Sequence, residues 1–483
     1  MFKNEFIPFT LQWWNTLLKV IDTTIRDGQQ SLFATRVKIE DIIPILDKMD
    51  EIGFYGLEAW GGATFDVAIR YLNEDPWERL RKIKRSLKKT KVVMLLRGKN
   101  LVGYKHYSDE VIETFVKKSY ENGVDVFRIF DALNDINNLR KAIEVAKEVG
   151  AEVHGDVVYT RSPIHSVDYF IDIAKKIAEL DVDAIRIKDM AGLLSPRVTF
   201  DLVKGIKKET GLPVGLHSHY SCGLAALSYM KGIEAGADFI DTALHPFAFG
   251  TSQPSIEVLY DALRNTGLLA HLNIELIYEC AEYFERLRDK YKGYSSPYTE
   301  RIDPRALRHQ IPGGMMSNLV AQLREFNALS KLNEVLNEVP IVRKDLGYPP
   351  LVTPMSQIVG TQAVMNVITG KRYGVIIKEV EDYIRGLYGK PPGEINKELM
   401  ERVKPSNPGK ELTFKDIPED VKALFKKEED ALTYLLFPQI AVQFLKGEVK
   451  GITSEKKEES RKEIKWFKVK IGNEEIEVKI ETQ

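Results

Sequence analysis

From Leu17 to Leu244 short apolar runs alternate with helix-length amphipathic segments. The runs are LLKVIDTTI, YGLEAW, KVVMLLR, VDVFRIF, EVHGDVVY, VDAIRIK, PVGLHSH and DFIDTAL. Their near-continuous apolar character suits strands buried on both faces. Between them KIEDIIPILDKMDEIG, DEVIETFVKKSYENG, DINNLRKAIEVAKEVG and SVDYFIDIAKKIAELD repeat apolar residues at the i, i+3, i+4 spacing of a helix. Gly53, Gly123, Gly150 and Gly236 stand where helices stop, as a left-handed C-terminal cap requires. Asp135 and Ser166 open others as N-caps. Eight strand–helix units in about 250 residues predict an α/β fold, a (β/α)8 TIM barrel. A doubly wound open sheet is the competing arrangement, but no G-x-G-x-x-G follows the first strand and there is no P-loop.

After Leu268 the alternation stops, and helical patterns such as ELIYECAEYFERLRDKY and IVGTQAVMNVITG follow, joined by HQIPGG, GYPPLVTPMS, GKPPGE and KPSNPGKE. These predict a mostly helical C-terminal domain packed over or beside the barrel mouth. SEKKEESRKEIK is a charged linker, and WFKVKIGNEEIEVKI alternates around Gly472–Asn473 as a two-stranded hairpin does. A lone hairpin is marginal, so it is expected to dock or to belong to a larger unit. The expected division is an N-terminal extension at 1–18, the barrel at 19–300, the helical domain at 301–450, and linker plus hairpin at 451–483. Phe6–Leu18 is short and interrupted by Gln12 and Asn15, so it reads as an amphipathic docking helix rather than a membrane span or signal peptide.

Charge changes the picture by exclusion. Lys+Arg 69 against Asp+Glu 70 leaves a net charge of −1, which argues against a nucleic-acid partner. The only cysteines, Cys222 and Cys280, form no C-x-x-C pair, as expected of a cytoplasmic chain. His217 and His219 close the run VGL; at i, i+2 in a strand both imidazoles face one point. Two readings compete there: polar groups at a strand exit, or a pair of metal ligands. The barrel prediction favours the second, because barrel active sites sit at the C-terminal strand ends. Asp27 follows strand 1, Arg97 ends strand 3, Lys188 ends strand 6, and His217 and His219 end strand 7.

The segments DTTIRDGQQSLFATR, LEAWGGATFDVAIRYLNEDPWERLR, MLLRGKNLVGY, RIKDMAGLL, HSHYSCG and GTSQPS resemble the carboxyltransferase component of biotin-dependent enzymes. That family holds the carboxyltransferase subunit of pyruvate carboxylase, the oxaloacetate decarboxylase α chain and the transcarboxylase 5S subunit. The resemblance covers roughly residues 19–445 and implies transfer of CO2 between carboxybiotin and pyruvate or oxaloacetate through a metal-stabilised enolpyruvate. It implies Zn, Mn or Co held by Asp27, His217, His219 and Lys188, the lysine as a carbamate. A bare ammonium cannot bind a cation, whereas a carboxylated amine offers an anionic oxygen. It further implies that Gln30, Arg97 and Thr353 meet the keto acid, that Tyr104 and Asp66 line its pocket, and that Thr353 relays a proton. By composition alone Thr353 is a turn residue ahead of Pro354.

Two motifs depart from the family pattern: RDGQQ stands where RDAHQ is common, and HSHYSCG where HTHDTSG is. Cys222 then reads as a buried neighbour of the metal. The sequence holds no M-K-M, so the biotin is expected on a separate domain or subunit. The implied partners are a biotin carboxyl carrier protein and a biotin carboxylase subunit, or membrane decarboxylase subunits, with the chain itself a homodimer. An aldol or Claisen enzyme of the isopropylmalate synthase or HMG-CoA lyase type shares the Asp and H-x-H but lacks the lysine and WGGATFD. A non-catalytic scaffold subunit is opposed by the intact ligand positions.

Overall fold

Eight parallel strands close on themselves in sequence order, β8 pairing with β1. They are β1 Lys19–Asp22, β2 Gly56–Gly61, β3 Lys91–Leu96, β4 Val126–Ile129, β5 Glu152–Val158, β6 Ala184–Asp189, β7 Val214–Ser218 and β8 Phe239–Thr242. The barrel expected from the alternation is therefore the barrel observed. The computed structural model describes residues 17–404 and 411–452, and the backbone of 464–471 and 474–481. The N-terminal docking helix and the charged linker fall almost wholly outside the described residues. Asp135 and Ser166 cap their helices by accepting the backbone N–H groups of Asn137 and Tyr169.

The run LLKVIDTTI is strand only over Lys19–Asp22. Asp22 accepts the Thr24 N–H at 3.1 Å and its hydroxyl at 2.8 Å. This turns the chain into a π-helical turn over Thr24–Gly28, a local form frequent at functional sites. The turn carries Asp27 to the barrel mouth.

Side chains alternate along each strand, so inward residues stack in layers. The bottom layer is apolar: Ile21, Val93, Val126, Ala184 and Phe239 form one small core. Two residues further along three of these strands the layer is ionic. Arg128 follows Val126, Arg186 follows Ala184 and Asp241 follows Phe239, with Glu58 and Asp156 completing the set, all fully buried. Gly215 makes room for this layer: a Cβ there would lie 2.6 Å from the Arg186 Cζ.

A second core joins the barrel mouth to the helical domain. Leu95, Phe130 and Val158, at the ends of β3, β4 and β5, pack with Met315, Leu319, Val339, Met355 and Val359. Arg343 binds the two together as a buried guanidinium without a carboxylate partner among the described residues. It donates to the carbonyls of Pro349 (2.8 Å) and Arg161 (3.0 Å) and to the Thr160 hydroxyl (2.8 Å).

The last helices, Glu429–Leu436 and Pro438–Leu445, return to the outside of the barrel. There Trp77, fully buried, donates its Nε1–H to the Thr433 hydroxyl at 3.1 Å, and Phe437 stacks on Phe65 at 5.7 Å. The tail strands Ile464–Ile471 and Glu474–Glu481 pair antiparallel as a hairpin. No described helix is long and apolar enough to cross a membrane.

Trp77 holds residues more than 350 positions apart against one barrel face. Replacing it by alanine should cost about 3–5 kcal/mol. Trp77→Phe, which keeps most of the volume and drops the Thr433 bond, should cost about 1–2 kcal/mol. Urea unfolding of the two variants measures both, and equal costs would show that the hydrogen bond outweighs the packing.

Candidate active site and metal centre

Strand alternation places His217 and His219 on one side, and the β6–β7 register sets Lys188 directly opposite His217. The π-helical turn adds Asp27, and donor atoms of Asp27, His217 and His219 all lie within 4.8 Å of one another. The Asp27 Oδ2 is 3.2 Å from the His217 Nε2 and 3.5 Å from the His219 Nε2. The two Nε2 atoms are 3.3 Å apart.

Each imidazole is held by its other nitrogen. His217 Nδ1 meets the Asp241 carboxylate at 2.8 Å, and His219 Nδ1 meets the backbone carbonyl of Thr251. Both partners only accept, so each Nδ1 carries the proton and each Nε2 turns a lone pair to the centre. Gln253 donates to the Asp27 Oδ2 at 3.1 Å.

Electrostatics favour a cation here. Burial alone would raise the Asp27 carboxyl, but Arg26 and the two imidazoles outweigh it and hold it well below the usual range. Burial, with Lys188 adding to it, depresses His217 and keeps it neutral. In the ionic layer Arg26, Arg128 and Arg186 face Asp27, Glu58, Asp156 and Asp241. Three guanidinium groups thus meet four carboxylates, which leaves one carboxylate charge over among these seven groups for Lys188 or a bound cation to balance.

Lys188 is fully buried and its Nζ has no hydrogen-bond partner among the described residues. Burial, helped by Arg128, pushes its ammonium down to about 8. The donor set and the surplus carboxylate fit a divalent cation once Lys188 gives up its proton.

A second cluster begins at Arg97, at the end of β3. Its Nη1 donates to the carbonyls of Val102 at 3.0 Å and Gly103 at 2.6 Å, and its guanidinium lies 5.1 Å from the centre of the Tyr104 ring. No carboxylate pairs with Arg97 among the described residues. Tyr104 donates to Asp66 Oδ2 at 3.4 Å, while Arg70 holds Oδ1 at 2.8 and 2.9 Å. Thr353, from the helical domain, shares one cavity wall with Arg97, Asn100, Asp131 and Met355. Gln30 accepts from Arg26 at 3.3 Å, and Arg26 in turn touches Asp27. Cys222 turns its thiol to the Ala191 carbonyl at 3.4 Å and stands outside the converging donors.

Sequence patterning did not single out the residues that hold the ligands in place: Asp241, Arg128, Arg186, Glu58, Asp156, Gln253 and Thr251. A signal existed for most of them, since FRI, GDV, IRI and IDT each put a charge in the middle of an apolar strand.

A family model described as a conserved carboxylase domain matches residues 306–483, and one described as HMGL-like matches residues 17–283. A pyruvate carboxylase subunit of Methanocaldococcus jannaschii is 53% identical, covering 96% of this chain and 84% of its own length. The 2-oxoglutarate carboxylase large subunit of Hydrogenobacter thermophilus is 46% identical over 93% of this chain and 71% of its own. Among solved structures, the carboxyl transferase domain of Rhizobium etli pyruvate carboxylase with pyruvate and biocytin superimposes with a TM-score of 0.85. It is 30% identical and covers 91% of this chain and 79% of its own.

Asp241 orients His217 without touching the centre itself. Asp241→Asn should weaken divalent metal binding by about 10–100-fold, as loss of a histidine's outer partner typically does. His217→Ala together with His219→Ala should leave no stoichiometric metal. Chelator competition and elemental analysis of folded protein read both outcomes, and full metal content in the double variant would remove the site.

Proposed function

The chain belongs to the biotin-dependent carboxyltransferase family of the pyruvate carboxylases, and on that premise we propose that pyruvate binds with its carboxylate at Arg97, beside a metal held by Asp27, His217, His219 and a Lys188 carbamate. Carboxyl transfer, rather than aldol or Claisen condensation, is the chemistry of this family. The biotin-carrying protein and the biotin carboxylase that charges it are its partners, and the carboxylated biotin they deliver is its second substrate.

The observation that carries the reading is the state of Arg97. A half-buried guanidinium without a carboxylate among the described residues, on one cavity wall with a hydroxyl, is a fork waiting for an anion. Arg97 is the single cation among the residues lining that cavity, and Asp131 adds a carboxylate to it. Arg97 can therefore anchor the carboxylate that pyruvate and oxaloacetate share.

Zn, Mn or Co bound there supplies Lewis acidity toward the keto oxygen, which makes the neighbouring methyl protons labile. Arg97 holds the carboxylate and so fixes the methyl carbon in place. Tyr104, tied to Asp66, closes the outer side. Gln30, bonded to Arg26, reaches the keto acid from the Asp27 side. The Thr353 hydroxyl both accepts and donates, so it can take the methyl proton and pass its own toward the incoming biotin nitrogen. Lys188 prepares the centre: as a neutral amine its lone pair adds to the carbon of CO2, the nitrogen loses a proton, and an anionic carbamate remains. Burial favours the neutral amine that this step needs.

Thr353→Val keeps the shape and removes the hydroxyl. Oxaloacetate decarboxylation stimulated by free biotin should fall by about 10²–10⁴-fold, the range of a lost proton-transfer group. Metal content and folding should hold, and Thr353→Ser should retain much of the rate. A Thr353→Val variant with full activity would leave the hydroxyl a turn residue.

A further inference from the structure

We propose that Gly62 is a positioning residue for substrate binding, its missing side chain being the space in which the Arg97 guanidinium lies. Gly62 is buried and opens the short helix Gly62–Val67 directly after β2. Its φ is not in the left-handed region, so its backbone does not call for glycine. Alanine is the better helix former. The demand is therefore one of volume. A Cβ built on Gly62 would lie 2.6 Å from the Arg97 Cζ and 2.9 Å from its Nη1, and closer still to Nη2.

The guanidinium has little freedom to move away. Its Nη1 is tied to the carbonyls of Val102 and Gly103, which a turn with Leu101 at φ 50° brings back toward it. The Tyr104 ring lies 5.1 Å from its Cζ. The same short helix holds that ring, because Asp66, four residues after Gly62, accepts from the Tyr104 hydroxyl. One helix thus seats Arg97 through Gly62 and braces Tyr104 through Asp66. A methyl group at position 62 displaces the fork from the carboxylate it is aimed at.

The inference rests on reading Arg97 as the residue that receives the keto-acid carboxylate, and a double-variant cycle separates the two. Gly62→Ala, Arg97→Ala and the double variant are compared as metal-loaded protein for KM, kcat, metal content and melting temperature. Gly62→Ala should raise KM for oxaloacetate by about 10–100-fold, the range of one charge-assisted interaction, with metal content unchanged and a smaller effect on kcat. The double variant should match Arg97→Ala alone, because removing the guanidinium frees the space. If Gly62→Ala folds poorly, the double variant should fold well for the same reason. A wild-type KM in Gly62→Ala, or a folding defect that persists in the double variant, overturns the role of Gly62 while leaving Arg97 in place. A wild-type KM in Arg97→Ala overturns the reading of Arg97 itself.

Discussion

Charge sealed inside the barrel is the constraint on which the site depends. An ion taken out of water costs several kcal/mol unless partners compensate it closely. Arg128 therefore reaches three strands at once, to Glu58, Asp156 and Asp241, and Arg186 shares Asp241. Once both guanidinium groups are placed, Asp241 has one remaining direction, toward the His217 Nδ1. The orientation of His217, a candidate ligand, is thus a consequence of pairing in the layer beneath it. The surplus carboxylate charge lies under the inward-turned nitrogens of His217 and His219 and a lysine whose charge burial disfavours, an environment a divalent cation would stabilise.

The chemistry is divided between two hydrophobic cores. The barrel core fixes Lys188, His217, His219 and Arg97 at strand ends and Asp27 in the turn after β1. The second core fixes Thr353, which enters from helices that share no strand with the barrel. Its position relative to Arg97 depends on how Leu95, Phe130 and Val158 pack against Met355 and Val359. Arg343 adds direction to that apolar contact. Its neutral acceptors come from the end of β5 and from Pro349, close in sequence to Thr353, so a shift of the helical domain would strand a buried cation.

The return of the last helices to the outer wall has a related logic. Trp60, Phe65, Trp77 and Phe115 would leave an apolar face at the side of the barrel, and Phe437 with its neighbours covers it. The chain therefore crosses the mouth with its helical domain and then closes against the wall, so that both faces of the same barrel become part of the carboxyltransferase unit.

The sequence by itself determined the barrel, its strand positions, the helix caps at Asp135 and Ser166, and the convergence of His217 with His219. Each of these follows from a local rule, a period of two or of 3.6 or a capping side chain, and local rules are written in consecutive residues. The resemblance of its motifs added the expected ligand set and Thr353. What only the tertiary structure decided is which distant groups meet. Lys188 stands opposite His217 because β6 and β7 pair in one register. Asp241 finds Arg128 across the barrel interior, and Gly62 finds Arg97 across neighbouring strands. Those meetings depend on strand register, burial and the mutual compensation of charges over the whole closed sheet, none of which any single stretch of the chain contains.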